Sequence, residues 1–330
     1  MLPVALTSGE PAGIGGEITL KAWLARDSEA LPPFFVIDDP ERLSRLASSL
    51  GLDVPVAAIG SPAETADRFR GAMPVLSMPQ PYRAQPGRPD LADAPQVIGA
   101  IERAVRFCLD GAAAAMVTNP ISKADLYAAG FRHPGHTEFV AELSGGARPV
   151  MMLAGPKLRV VPATVHCALA EAASRLSTPD LVEIGTITAE ALKRDFGLTD
   201  PVIAVAGLNP HAGEGGAMGT EDRDIIAPAV KEMQRAGIRA TGPLPADTMF
   251  HDAARAGYDT ALCMYHDQAL IPVKTLDFDR TVNVTLGLPI IRTSPDHGTA
   301  YDIAGRGVAR PESLIEAIRL AGEMAVRRAA

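Results

Sequence analysis

The chain has 330 residues, 47% hydrophobic and 21% charged, which is ample for a sizeable core and long for one domain of ordinary size. No run reaches the roughly 18 consecutive apolar residues that span a bilayer, and the opening Met1 to Leu6 has neither a basic start nor a long apolar stretch, so a soluble, unexported chain with no membrane partner is expected. A net charge of −8 speaks against a nucleic-acid partner, because binding a phosphate backbone needs a basic face that displaces counterions.

Short apolar segments alternate with longer amphipathic ones, the pattern of βα units, so the expected class is α/β. Strands are predicted at Val4–Leu6, Phe34–Ile37, Ala114–Val117, Val150–Leu153, Leu158–Val165, Val202–Ala206 and Thr260–Met264. Helices are predicted over Glu17–Arg26, Pro95–Leu109, Pro179–Phe196 and Glu221–Ala236, with a last one beginning near Pro311. Such a sheet is expected to be mostly parallel, with helices on both faces. Pro74–Pro95 holds six prolines and reads as a long arm, available to a partner subunit, rather than as an element. Cys108, Cys167 and Cys263 are odd in number and form no CxxC pair, which fits a reducing compartment and a cytoplasmic location.

Two glycine-rich loops stand out. Thr7–Glu17 follows the first strand and opens the first helix, yet it fails the dinucleotide fingerprint, since Ile18 stands where the third glycine belongs, and no P-loop lysine follows. Its glycines imply a tight turn that lets backbone approach a neighbour. Gly207–Gly219 carries five glycines around His211 and suits a ligand approached by main chain.

Three histidines follow apolar strands: Val160–Val165 runs into His166, Val202–Ala206 leads through four residues to His211, and Ala261–Tyr265 runs into His266. Ligands gather outside the carboxyl ends of strands in open α/β sheets, and three protein ligands leave the open position of a catalytic metal site. Taken singly, each reads first as an ordinary loop histidine, and the shared position after three strands is what lowers that reading. Asp247 and Asp267 are placed to orient the imidazoles or to join the metal. Cys167 and Cys263 lie at odd separation from His166 and His266, which in extended chain turns them away, so both are assigned to the core. His133 and His251 are assigned structural roles.

A basic pocket is indicated by Lys274, Asn283 and Arg292 within the apolar stretch Ile271–Thr293, where unpaired charge is costly. Gly135 to Glu138 adds His136 and Thr137 at a helix start, where amide groups favour anions. Phosphate is the natural partner for such a set.

His297–Gly305 resembles a segment that contributes to the cofactor site of the isocitrate and isopropylmalate dehydrogenases, with Tyr301 where those enzymes carry proline. Over nearly the whole chain the closer resemblance is to the 4-hydroxythreonine-4-phosphate dehydrogenase family, carried by Thr7–Gly15, Thr118–Lys123, Gly135–Phe139, Leu208–Glu214, Tyr265–Gln268 and His297–Ala300. It implies an isocitrate/isopropylmalate dehydrogenase-like fold of two α/β/α domains with a cleft between them, one formed by 1–126 and 287–330, the other by 127–286 with the metal ligands and dimer contacts. It further implies a homodimer whose active sites take residues from both chains. Residue by residue it implies metal ligation by His166, His211 and His266, substrate contacts from His136, Thr137, Lys274, Asn283 and Arg292, and cofactor contacts from Gly298, Thr299, Ala300 and Asp302. The implied cofactors are NAD or NADP and one divalent metal per site: zinc, cobalt, manganese or magnesium.

The implied reaction oxidises a small phosphorylated hydroxy amino acid, 4-phosphooxy-L-threonine, to 2-amino-3-oxo-4-phosphooxybutanoate, which decarboxylates to 3-amino-2-oxopropyl phosphate in pyridoxal phosphate biosynthesis. Asp247, Asp267 and Lys123 are the candidates for the group that takes the alcohol proton. Three alternatives stay open: a sibling dehydrogenase of 4-phospho-threonate or 4-phospho-erythronate, a metal-dependent hydrolase or aldolase, and a non-catalytic binding protein.

Overall fold

The computed structural model describes residues 2–133, 135–146 and 148–329; Met1, Pro134, Ala147 and Ala330 lie outside them. The chain packs as two units, 1–149 with 288–330, and 150–287.

The first unit opens with β1 (Val4–Thr7), α1 (Gly15–Leu24), β2 (Phe34–Asp38), α2 (Pro40–Ser49), β3 (Val56–Ile59), α3 (Thr65–Phe69) and β4 (Met73–Ser77). It continues through α4 (Ala94–Leu109), β5 (Ala115–Thr118), α5 (Lys123–Ala128) and α6 (His136–Leu143). The second unit holds β6 (Val150–Ala154), β7 (Arg159–Pro162), α7 (Leu169–Arg175), α8 (Thr178–Arg194), β8 (Val202–Ala206), α9 (Ala227–Arg235), β9 (Arg239–Leu244), α10 (Asp252–Arg255), β10 (Thr260–Cys263), α11 (His266–Leu276) and β11 (Val282–Leu286). The chain then returns to the first unit with β12 (Arg292–Pro295) and α12 (Glu312–Ala329).

In the first unit the strands run in the order β3-β4-β2-β1-β5-β12, and every pairing is parallel. β1, β2 and β5 are buried along their whole length, as expected of apolar strands covered on both faces. On α4, Val97, Ala100, Ile101, Ala104 and Val105 recur at helical spacing and form one buried stripe. Four of these, Ala100, Ile101, Ala104 and Val105, pack with Phe35, Ile37 and Met116; burying side chains of this size contributes about 1.5–3 kcal/mol each for the larger ones. Phe139 and Val140 of α6 join the same cluster together with Leu288 and Ile290. That packing is why the first unit extends past Leu126 to Pro149.

The proline-rich stretch differs from the expected arm. Pro74 lies inside β4, and beyond it the chain packs on its own unit, with Tyr82 and Ala84 buried and the Gly87 amide donating to the Ala12 carbonyl at 2.8 Å. The Asp93 carboxylate accepts from the amides of Arg83 and Ala84 and fixes the bend.

In the second unit the order is β11-β6-β7-β10-β8-β9. Strands β7, β10, β8 and β9 are mutually parallel, whereas β6 is antiparallel to both β11 and β7. Only four residues separate β6 from β7, and Gly155 donates to the Leu158 carbonyl at 2.9 Å, so the connection is a hairpin too short for a parallel crossover. The predicted strand Leu158–Val165 accordingly stops at Pro162, and Glu221–Ala236 divides into a π-helical turn, Asp222–Ile226, and α9. Among the described residues no helix is long and apolar enough to cross a membrane.

Candidate active site

The glycine-rich loop after β1 is folded against its own unit. Gly9 has φ +66°, and a Cβ there would stand 2.6 Å from the Asn119 side chain and the Pro120 carbonyl. Asn119 donates from Nδ2 to the Thr7 carbonyl and to Thr19 Oγ1, both at 3.0 Å, so the loop's tight turn serves packing. Glu10, buried on this loop, has its pKa raised to about 7, chiefly by desolvation, with Asp125 and Asp93 adding to the rise against the Ala12 amide.

The expected cofactor segment docks on the same loop through the Thr299 carbonyl, which accepts from the Ile14 amide at 3.0 Å. Gly298 is exposed with open space around it, Ala300 has φ +46°, and Asp302 is exposed. Tyr301, where the dehydrogenases it resembles carry proline, donates its hydroxyl to Asp125 at 2.7 Å.

Basic groups gather at the start of α6, beside the paired strands β5 and β12, and make this a candidate anion pocket. Arg292 is 3% exposed, and its Nε and Nη2 both donate to Thr118 Oγ1, at 3.2 and 2.7 Å. Burial lowers its pKa to about 10, with Glu138 pulling the other way. His136 begins α6, and its Nε2 is enclosed without a hydrogen-bond partner among the described residues. Its pKa is held well below that of free imidazole by burial, by Arg292 and by Lys123. Lys123 closes on the helix start, its Nζ 3.3 Å from where a Cβ on Gly135 would stand. Thr137 is half-buried in the first turn. A buried arginine, a lysine and an imidazole at a helix N-terminus are the kinds of group that phosphate binding calls for.

Lys274 and Asn283 belong to the second unit. Lys274 Nζ lies 5.7 Å from the centre of the Phe278 ring, and Asn283 Oδ1 on β11 is buried with no hydrogen-bond partner among the described residues.

Because β7, β10, β8 and β9 are parallel neighbours, their carboxyl ends share one edge, and from it emerge in spatial order His166, His266, His211 and Asp247. The rings of His166 and His266 are 6.3 Å apart. Both line a cavity of about 400 Å³ together with Thr164, Cys167, Tyr265 and Asp267. Asp267 Oδ1 lies 2.7 Å from His266 Nδ1, which leaves Nε2 to face a ligand. Cys263 is fully buried as expected, but Cys167 lines the cavity, because the chain is no longer extended beyond Pro162.

His211 is exposed, in a turn where His211, Ala212, Gly213, Glu214 and Gly215 all have positive φ. Left-handed backbone costs a non-glycine residue about 1–2 kcal/mol, so the turn needs a clamp. Buried Asp222 supplies one: Oδ1 accepts from the Leu208 amide at 2.8 Å, and Oδ2 from the Asn209 amide and Nδ2 at 3.1 and 2.9 Å. Gly207 leaves room for it, since a Cβ there would stand 2.8 Å from Asp222 Oδ1. Asp247 is exposed after β9.

The structure thus brings His166 and His266 together and holds His211 on a neighbouring loop; among the described residues no three His, Cys, Asp or Glu side chains of the one chain converge to hold a metal ion. The donor chemistry suits a divalent cation, with one imidazole already oriented by a carboxylate. Sequence reasoning passed over Thr118, Asp222 and Gln268, of which Thr118 and Gln268 lie inside recognisable motifs. His251 caps α10 and His133 approaches Glu142 at 3.3 Å, both structural.

The family model for pyridoxal phosphate biosynthetic protein PdxA matches residues 30–321. The 4-hydroxythreonine-4-phosphate dehydrogenase of Caulobacter vibrioides is 55% identical over 99% of this chain and 98% of its own length. That of Bradyrhizobium diazoefficiens is 52% identical over 99% and 98%. Among solved structures, the 4-hydroxythreonine-4-phosphate dehydrogenase of Klebsiella pneumoniae gives a TM-score of 0.89 at 38% identity, covering 98% of this chain and 100% of that one. A terephthalate 1,2-cis-dihydrodiol dehydrogenase from Burkholderia xenovorans gives 0.66 at 30% identity, covering 97% of each. With a match across most of its length and relatives above half identity, the chain belongs to the PdxA family of pyridoxal phosphate biosynthetic proteins, an oxidoreductase of the 4-hydroxythreonine-4-phosphate dehydrogenase kind.

Proposed function

We propose that the enzyme oxidises 4-phosphooxy-L-threonine with NAD or NADP and one divalent cation, as a cytoplasmic homodimer. The observation that carries this reading is the gathering of a buried guanidinium, a lysine and an imidazole at one helix start, the imidazole Nε2 having no hydrogen-bond partner among the described residues. Arg292, His136, Thr137 and Lys123 bind the substrate phosphate, with Lys274 and Asn283 as further substrate contacts; this remote binding orients C3 for reaction. His166, His211 and His266 hold the cation, the set being completed between subunits of the dimer. When bound, the cation supplies Lewis acidity at the alcohol oxygen and the nicotinamide accepts hydride.

Asp267 is engaged with His266, and Lys123 stands at the anion pocket, which makes Asp247 the group to take the alcohol proton. Gly298 and Asp302, the exposed members of the cofactor segment, face the nicotinamide nucleotide, while Thr299 and Ala300 shape the turn. The product β-keto acid then loses carbon dioxide.

The test is a panel: metal-restored enzyme with NAD and with NADP, given 4-phosphooxy-L-threonine, 4-phospho-threonate and 4-phospho-erythronate. Substrate-dependent NAD(P)H formation, fastest on the amino acid, is expected. A faster rate on either hydroxy acid would assign the enzyme to the sibling activity, and no NAD(P)H with any substrate would favour a hydrolase or aldolase.

A further inference from the structure

Gln268 is buried on α11 and joins two loops. Its Oε1 accepts from the Met264 amide at 2.7 Å, and its Nε2 donates to the Gly207 carbonyl at 2.7 Å. Met264 precedes His266 by two residues, and Gly207 opens the loop to His211. On its other side the Met264 carbonyl accepts from Thr164 Oγ1 at 2.8 Å, two residues before His166. One chain of bonds, Thr164 to Met264 to Gln268 to Gly207, thus runs across all three histidine-bearing segments, and Asp222 holds the next two amides after Gly207.

We infer that Gln268 is a positioning residue for the cation site, setting the relation between the His266 helix start and the His211 loop. This rests on the metal reading proposed above. The side-chain type is informative. A helix start needs only an acceptor at this position, and glutamate would serve as well. The second bond, to a carbonyl, requires a donor, and glutamine supplies both from one amide. The left-handed turn at 211–215 gives the tie its importance, because a strained turn shifts when its restraints are removed. The tie fixes both loops whichever subunit's cation each histidine faces.

The experiment titrates the full chain, stripped of metal, with Co²⁺, reading both affinity and the visible absorption that reports coordination geometry. Thermal unfolding of the metal-free proteins is recorded alongside. The variants are Gln268→Met, which loses both bonds, and Gln268→Glu, measured at pH above about 8 so that the carboxylate is ionised and keeps only the Met264 bond. Thr260→Val is the control: it removes a hydroxyl that ties β10 to the Arg159 carbonyl at the opposite end of the strand. Partners that orient metal ligands typically change affinity about 10- to 100-fold, and a loss of that size with an altered spectrum is expected in both Gln268 variants, with wild-type affinity in Thr260→Val. Wild-type affinity in Gln268→Glu would reduce the residue to a helix cap and overturn the inference, as would an equal loss in Thr260→Val. A wild-type chain that does not bind Co²⁺ would overturn the metal reading itself, an outcome distinct from a wild type that binds beside unaltered variants.

Discussion

Two buried arginines of the first unit are set to different tasks by their acceptors. Arg42 donates Nε and Nη2 to the two oxygens of Asp38, at 3.0 and 2.6 Å, a closed ion pair. Arg292 donates the same two groups to the hydroxyl of Thr118, which orients the guanidinium, with the Glu138 carboxylate near enough to act on its charge. Replacing Arg292 by alanine should therefore remove about 1.5–3 kcal/mol of charge-assisted binding, raising KM for the phosphorylated substrate roughly 10- to 100-fold with kcat little changed, as steady-state kinetics would show. Glu10 offers a second check. Its folded pKa, about 7, exceeds the ordinary 4.5, so the folded chain binds the extra proton, and the stability this gives is complete below 4.5 and lost as pH rises through 7. Glu10→Gln should unfold at a higher temperature than wild type near pH 8 and lose that advantage below 4.5; parallel pH profiles would refute the assignment. Arg292 and His136 were legible in the sequence because charge in an apolar run, or a histidine at a helix start, is unusual. Thr118 stood in a quoted motif without a role of its own, since a threonine ending a strand has an ordinary place in any sheet.

The βα alternation made β1, β2, β5, β7, β8 and β10 readable, and with them the three histidines, since a polar residue after an apolar run marks a strand's carboxyl end, whereas the short parallel strands β3 and β4 went unread. Strands without an apolar run escaped: β12 reads Arg292 to Pro295 and is buried through hydrogen bonds, and β9 carries glycine and proline at a sheet edge. The hairpin between β6 and β7 escaped for another reason, because strand periodicity carries no direction and only the short Gly155-Pro156 turn shows it. The left-handed turn at His211 was likewise hidden, as glycine content marks freedom and not the conformation chosen. Two substitutions test these loops. Gly9→Ala forces a Cβ into Asn119 and Pro120 at positive φ, and Gly207→Ala forces one against Asp222 and Ala212. Each should destabilise by about 1–3 kcal/mol, read as a fall in unfolding midpoint, and Gly207→Ala alone should also weaken metal binding. Equal metal affinity in the two variants would break the link drawn between that loop and the cation.

At the scale of the molecule, the fold divides its chemistry. The first unit, 1–149 with 288–330, holds the anion pocket and the expected cofactor segment, while the second, 150–287, carries the histidine edge. Membership of the PdxA family fixes the reaction class, and the residues that discriminate an amino acid from a hydroxy acid at C2 are beyond what motifs announce. The proposed chemistry needs imidazoles from three strand ends to serve one cation required for turnover. The direct measurement is metal content and NAD(P)H formation on 4-phosphooxy-L-threonine, made on the same preparations of wild type and His211→Ala. Bound metal and turnover are expected in the wild type, with loss of both in the variant. Wild-type turnover in a His211→Ala protein free of metal would contradict it.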